Sequence, residues 1–196
     1  MIPGEEIREH ARRYGVPLSS IERDYAQSWL LEHLSNNFEM VFKGGTCIRK
    51  LHINNYRFSD DLDFTLLDEY TKENIEEKIK DAVKTAKSIS GISYEQSIRV
   101  KEVTNGFRAT IGFRILNIQG NPINIKLDLT KKENEKVLIQ PKKYAIIHPY
   151  SDNLDAKIKS YTLSEILAEK IRSLFQRTRA RAVSYTHLTL PTTPYV

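Results

Sequence analysis

The sequence predicts an α+β fold, a mixed β-sheet flanked by helices and followed by a helical part that is cut short. Three observations predict it. Apolar residues recur at helical spacing within the first 38 residues and again over Thr71–Ser88. The pattern changes to period two from Ile92 to Thr130. Helical spacing then returns at Leu163.

Each element follows from local chemistry. Ser19 with Glu22 three residues on fits a capping box, and Ile21, Tyr25, Ser28, Trp29 and Glu32 continue at helical spacing. Trp29, Leu30, Leu31 and Leu34 supply the packing face of this helix. Glu39–Phe42 is a short apolar run ended by Gly44-Gly45, which predicts a strand, a tight turn and a helix through Thr46–Leu51. Asp61–Leu67 reads as a strand with acids at its start. Thr71–Ser88 is an amphipathic helix with Ile75, Ile79, Ala82, Val83 and Ala86 inward. Its lysines are balanced by Glu73, Glu76, Glu77 and Asp81, so they form a solvated face rather than an RNA groove. Strands over 92–103, 106–118 and 123–130 follow, with turns at Asn105-Gly106 and Gly120-Asn121-Pro122. A last helix runs from about Leu163 to Arg181.

At 196 residues the chain holds one domain, or one domain and a fragment of another. The expected division is N-terminal helices over 1–38, a core over 39–160, the start of a helical region over 161–182, and a tail over 183–196. No run of 18 apolar residues exists to span a membrane, and the charged N-terminus is no secretory signal. One cysteine, Cys47, excludes a disulfide scaffold and makes the reducing cytoplasm the expected location. The net charge of +5 is local: residues 1–169 carry 25 acids and 25 bases, and the excess is Lys170, Arg172, Arg177, Arg179 and Arg181. The 14 residues from Val183 contain no charged side chain, which by composition is a chance on the order of one in a hundred. They read as non-native sequence fused to an interrupted gene; a native, disordered C-terminus is the alternative.

The chemistry concentrates in two segments, Phe42–Thr46 and Arg57–Phe64. Adjacent glycines at a strand exit let the backbone approach a ligand and offer N–H groups to phosphate oxygens. Asp61 and Asp63, two apart on a strand, point to one face while Leu62 and Phe64 point to the core. Two parallel carboxylates repel unless a cation lies between them, and Mg²⁺, or Mn²⁺, suits such oxygen ligands. That combination is what metal-assisted phosphoryl or nucleotidyl transfer needs. The clean alternation of Ile123–Thr130 leaves Asp128 on a polar face. If its strand neighbours the Asp61 strand, Asp128 completes a three-acid metal site; otherwise it is a solvated strand residue. On the last helix, Ile166, Leu167, Ile171 and Leu174 form an apolar stripe with Lys170 in its middle and Glu165 on the solvated side. Lys170 either meets nucleotide phosphate or snorkels at the helix edge. The glycine turn is not a Walker loop, and Cys47 reads as a packing residue.

These residues resemble a family. Lys43–Thr46 (KGGT), Arg57–Phe64 (RFSDDLDF), Ile125–Thr130 (IKLDLT) and Ser164–Arg181 (SEILAEKIRSLFQRTRAR) are similar to the AbiEii/AbiGii nucleotidyltransferase-like toxins of type IV toxin–antitoxin systems, within the DNA polymerase β-like nucleotidyltransferase superfamily. The resemblance implies a nucleotidyltransferase core that moves a nucleotide from an NTP to RNA, notably the tRNA acceptor end, opposed by a cognate antitoxin. By position it implies that Gly44, Gly45 and Thr46 hold the phosphates, that Asp61 and Asp63 bind Mg²⁺, and that Lys170 is the essential lysine. Lys50, Arg57 and Ser59 would be nucleotide contacts, and Asp128 matches a common acidic position. The sequence departs from the family after Arg181, where Ala182 and Tyr185 stand in place of acids. Two other readings remain at this stage: a nucleotide- or RNA-binding module without turnover, and a metal-dependent nuclease.

Overall fold

The computed structural model describes residues 1–176. The predicted helix end at Arg181, the tail over 183–196 and the side chain of Leu174 lie outside the described residues. The order is α1 (Gly4–Tyr14), α2 (Leu18–Asn37), β1 (Met40–Lys43), α3 (Gly44–Cys47) running into a π-helical turn (Ile48–His52), β2 (Asp61–Leu66) and α4 (Lys72–Ser90). Then come β3 (Ser93–Tyr94), β4 (Arg99–Val103), β5 (Gly106–Arg114), β6 (Ile123–Thr130), β7 (Lys142–Ala145), β8 (Lys157–Ser160) and α5 (Leu163–Gln176).

The eight strands form one mixed sheet in the order β3-β5-β6-β2-β1-β8-β7, with β4 also pairing β5. The parallel pairs are β2 with β6 and β1 with β8. One face is apolar: Leu62, Phe64, Phe107, Ala109, Ile125, Leu127 and Leu129 are all buried. Their spacing is the period-two alternation of the sequence, and α2 and α4 cover them. Phe42 and Phe64, opposed across β1 and β2, place their rings 5.0 Å apart. α4 buries the predicted Ile75, Ile79, Ala82, Val83 and Ala86. Its start is fixed by a capping box between Thr71 and Asn74.

Several elements differ from the sequence reading. α2 starts at Leu18, directly behind Pro17, so Ser19 lies inside the helix rather than at its cap, and no side chain caps it. Glu22 is instead buried and accepts a 2.8 Å hydrogen bond from the Leu116 amide. That bond draws the chain off the sheet, so the strand expected over 106–118 ends at Arg114. The strand expected over 92–103 is two, β3 and β4, separated by a tight turn in which the Ile98 amide bonds Gln96 O. β7 and β8 were not predicted: each has only four residues, and lysines stand at the positions where alternation would be read. The predicted stripe on α5 is not buried as a unit. Ile166 is 2% exposed, but Leu167 and Ile171 are 49% and 41% exposed. Glu165, expected in solvent, is buried and accepts from the Leu138 and Ile139 amides at 2.9 and 3.0 Å. The helix docks through that carboxylate, which turns Leu167 and Ile171 outward.

Behind the apolar face, α2 is tied to the π-helical turn by a buried ion network. Asp24 accepts from Arg49 Nε at 2.7 Å and from the Tyr150 hydroxyl at 2.8 Å, and pairs with Lys50 Nζ at 2.8 Å. Lys50 Nζ also donates to Asp24 O at 2.7 Å and Ser28 Oγ at 2.8 Å. Burial alone would raise the Asp24 carboxyl, but Lys50 and Arg49 hold it below the ordinary carboxylate range. Arg49 also donates to Tyr56 O and lies 3.6 Å from the Phe58 ring centroid, so the network fixes the segment that carries Arg57 and Ser59. Removing one partner of a buried pair leaves an uncompensated charge. Asp24→Ala is therefore expected to destabilise the chain by about 3–5 kcal/mol in urea unfolding at pH 7. The deficit should shrink in acid below the carboxylate range, where the native Asp24 also loses its charge as pH falls through its lowered value.

Candidate active site

β1 and β2 pair antiparallel with Lys43 opposite Asp63, so the turn that leaves β1 lies against the start of β2. Gly44 has φ +81°, and a Cβ there would stand 2.2 Å from Asp63 Oδ2. Only glycine satisfies both the backbone and the contact. A Cβ on Gly45 would meet Ser59 Oγ at 3.2 Å and Arg57 Nη2 at 3.5 Å. The Thr46 hydroxyl donates to Asp61 O at 2.5 Å and fastens the turn to the strand. Gly44, Gly45, Thr46, Arg57, Ser59, Asp61 and Asp63 thus share one corner of the sheet.

Asp61 and Asp63 lie on the polar face, opposite the buried Leu62 and Phe64. β6 neighbours β2 in parallel, with Asp128 in register beside Asp63. The adjacency on which the third carboxylate depended is present. Asp128 Oδ1 is engaged, however, by Arg108 Nε at 2.6 Å. Among the described residues no group of three His, Cys, Asp or Glu side chains is arranged to hold a metal ion. The geometry is that of a two-carboxylate site with an arginine-paired third acid beside it.

The electrostatics are those of charges short of a partner. Asp61 is raised above its ordinary value by burial, with Lys126 opposing and Asp128 and Asp60 adding to the rise. Its Oδ1 is buried with no hydrogen-bond partner. Asp63 is raised to about 6 by burial and by Asp128, against the pull of Lys43, with Asp61 raising it further and Lys170 relieving it. An orphaned carboxylate oxygen beside a second carboxylate pushed toward neutrality fits a divalent cation with hard oxygen preferences.

Lys170, half-buried on α5, lies within electrostatic reach of Asp63. Lys50 is not brought to this corner. It is 1% exposed, and its ammonium is held by Asp24 and Ser28.

Sequence reasoning missed a charged cluster beside the acids. Lys43 Nζ donates to Glu135 Oε2 and lies 3.7 Å from Glu169 Oε1. Glu135 Oε2 also accepts from Thr65 Oγ1 at 2.8 Å, and Arg172 reaches Glu135 Oε1 at 3.5 Å. Burial raises both glutamates, and one proton between them resolves the repulsion. The hydrogen bond from Glu169, with Lys43 beside it, keeps Glu135 ionised and below its ordinary value, and Glu169 retains the proton, well above its own. Glu169 lies beside Lys170 in the quoted helix motif and could have been singled out there. Glu135 sits in a run of charges with no local signal. Cys47 is buried and its thiol is pushed up to about 12 by that burial, which suits packing and not nucleophilic attack.

The raised Asp63 has a consequence for stability. The folded state binds that proton more tightly than the unfolded state, so stability present below about pH 4 is lost as pH rises to about 6. Asp63→Asn is expected to flatten this slope and to stabilise the metal-free chain at pH 7 by up to about 3 kcal/mol. Urea titrations between pH 4 and 7 measure it, and a flat profile for the unsubstituted chain would contradict it. Mg²⁺ or Mn²⁺ should stabilise the unsubstituted chain at pH 7 and leave Asp63→Asn unmoved.

Residues 29–183 match the family described as nucleotidyl transferase AbiEii toxin, type IV TA system. Among solved structures, the chain is similar to MenT4, a nucleotidyltransferase toxin from Mycobacterium tuberculosis H37Rv, with TM-score 0.63 and 19% identity over 88% of this chain and 59% of that one. It is also similar to an antigenic nucleotidyltransferase-like protein from Paracoccidioides brasiliensis, with TM-score 0.51 and 16% identity over 88% of this chain and 79% of that one. At these identities the likeness is one of fold, and the chain spans 59% of the length of MenT4. No curated protein matches.

Proposed function

The chain belongs to the AbiEii nucleotidyltransferase toxin family of type IV toxin–antitoxin systems, and from that premise we propose that it transfers a nucleotide from an NTP to an RNA acceptor, a tRNA end being the expected one. The observation that carries the reading is the corner where Gly44 closes to within a Cβ's reach of Asp63 while Asp61 Oδ1 stands buried and unpartnered. A tight glycine approach serves a phosphate chain, and an unpartnered carboxylate pair serves the cation that accompanies it. The expected partner in the cell is a cognate antitoxin, and the expected location is the cytoplasm. No helix among the described residues is long and apolar enough to cross a membrane.

The reaction joins an acceptor hydroxyl oxygen to the α-phosphorus and breaks the bond to pyrophosphate. Asp61 and Asp63 would hold Mg²⁺ or Mn²⁺, which supplies neutralisation of the triphosphate and acidification of the attacking hydroxyl. The Gly44–Gly45 backbone receives the phosphates, and Arg57 and Ser59 flank them from the segment stacked against Arg49. Lys170 offers positive charge on the Asp63 side, where charge builds on the leaving group. Asp128, oriented by Arg108, accepts the hydroxyl proton. Thr46 acts from its hydrogen bond to Asp61 O, keeping turn and strand in register.

Incubation of the chain with α-³²P-labelled NTPs, Mg²⁺ and total RNA is expected to label RNA. Asp63→Ala should abolish the label, and Lys170→Ala should lower the rate by about 10²–10³-fold, the usual effect of removing one charge stabiliser. Absence of label with every NTP, together with undiminished toxicity of Asp63→Ala, would overturn the reading. NTP binding without any label would favour a binding module.

A further inference from the structure

The polar face of the sheet does not end at the acids. Residues in register on neighbouring strands share a face, and two rows lead outward from β2. One runs from Asp63 through Asp128 and Arg108 to Lys101. The other runs from Asp61 through Lys126 and Thr110 to Arg99. Arg99, Lys101, Arg108 and Lys126 are all exposed, while Leu62, Val100, Ala109 and Leu127, which alternate with them, are buried. The one carboxylate in the outer part of either row, Asp128, is already paired with Arg108. The side chains of Arg99 and Lys101 have no ion-pair or hydrogen-bond partner among the described residues. A groove of about 360 Å³, lined by Val103–Arg108 and Asp128–Thr130, runs beside the first row.

We infer that this open face of β4, β5 and β6 is the track on which the phosphate backbone of the RNA acceptor lies, with its terminal hydroxyl delivered to Asp61 and Asp63. The inference rests on the transferase reading and deepens it. Three strand spacings separate Lys101 from Asp63, about 14 Å. Cations spread over that distance suit a chain of phosphates rather than a single anion. The track ends where an acceptor hydroxyl must arrive. It also approaches β2 from the β6 side, whereas Gly44 and Gly45 approach from the β1 side. The sheet order therefore gives the two substrates opposite sides of the acid pair.

The test uses the full chain, a fluorescein-labelled 12-nucleotide single-stranded RNA, and anisotropy titrations across NaCl concentration. Arg99→Glu with Lys101→Glu should weaken RNA binding at least about tenfold and flatten the log–log salt slope by about 1.4, two phosphate contacts' worth. Its thermal shift with Mg²⁺ and NTP should match that of the unsubstituted chain. The milder pair Arg99→Gln with Lys101→Gln should give the same direction with a smaller loss. A control with the same change of net charge, Lys80→Glu with Lys84→Glu on α4, should leave RNA binding unchanged. Equal loss in the control, no loss in the strand variants, or no RNA binding by the unsubstituted chain overturns the track. Poly-glutamate bound as tightly as RNA, and lost in the same variants, overturns RNA as its occupant. Normal RNA labelling by Arg99→Glu with Lys101→Glu would sink the track and spare the transferase. RNA binding that follows the track in a chain that labels nothing would do the reverse.

Discussion

The burial of Asp61 and Asp63 on one strand face, beside the like charge of Asp128, is the constraint around which the site is arranged. A strand turns both carboxylates to one side, and partial burial denies them the water that would screen them. The surrounding cations answer that charge in part. Lys43 faces Asp63 across β1, Lys126 faces Asp61 across β6, and Lys170 approaches from α5. None of them gives Asp61 Oδ1 a hydrogen bond, and Asp63 stays raised to about 6 in their presence. The charge left uncompensated is the physical basis on which a divalent cation is proposed there.

Lys43 links this constraint to a second one. The same ammonium that relieves Asp63 helps hold Glu135 ionised, and Glu135 shares a proton with Glu169 on α5. Three carboxylates and one lysine therefore settle their charges together, and the settlement attaches α5, with Lys170, to the sheet. The outward Leu167 and Ile171 show how little of that attachment is apolar. On the other side of the site, the Asp24 network does comparable work for Arg57 and Ser59. Arg49 answers Asp24 with its Nε and stacks its guanidinium against Phe58, between the two residues. Buried charge here fixes the segments that border the candidate site.

Charge totals are a poor guide to such an arrangement. Residues 1–169 are neutral in sum, yet the open sheet face gathers Arg99, Lys101, Arg108 and Lys126 in two rows that meet the acid pair. The compensating acids lie elsewhere, many of them on the helices. On α4, Lys and Glu alternate around a solvated surface, whereas on the strands period two sorts the cations to one face.

The sequence by itself determined what depends on near neighbours along the chain. The Asp61–Asp63 face, the glycine exit of β1, the inner face of α4 and the alternation of β6 follow from periods of two and 3.6 and from turn chemistry. Tertiary structure decided whatever depends on residues far apart in the chain. It placed Asp128 beside Asp63 by pairing β6 with β2, and then took that acid for Arg108. It drew Lys50 into the core, because Asp24 and Ser28 on α2 could hold its ammonium there. It buried Glu165 to receive two loop amides and brought Glu135 to Lys43 across 92 positions of chain. Local pattern says which face a side chain takes. Burial and the charges opposite it, which set protonation and partner, exist only once distant segments have met.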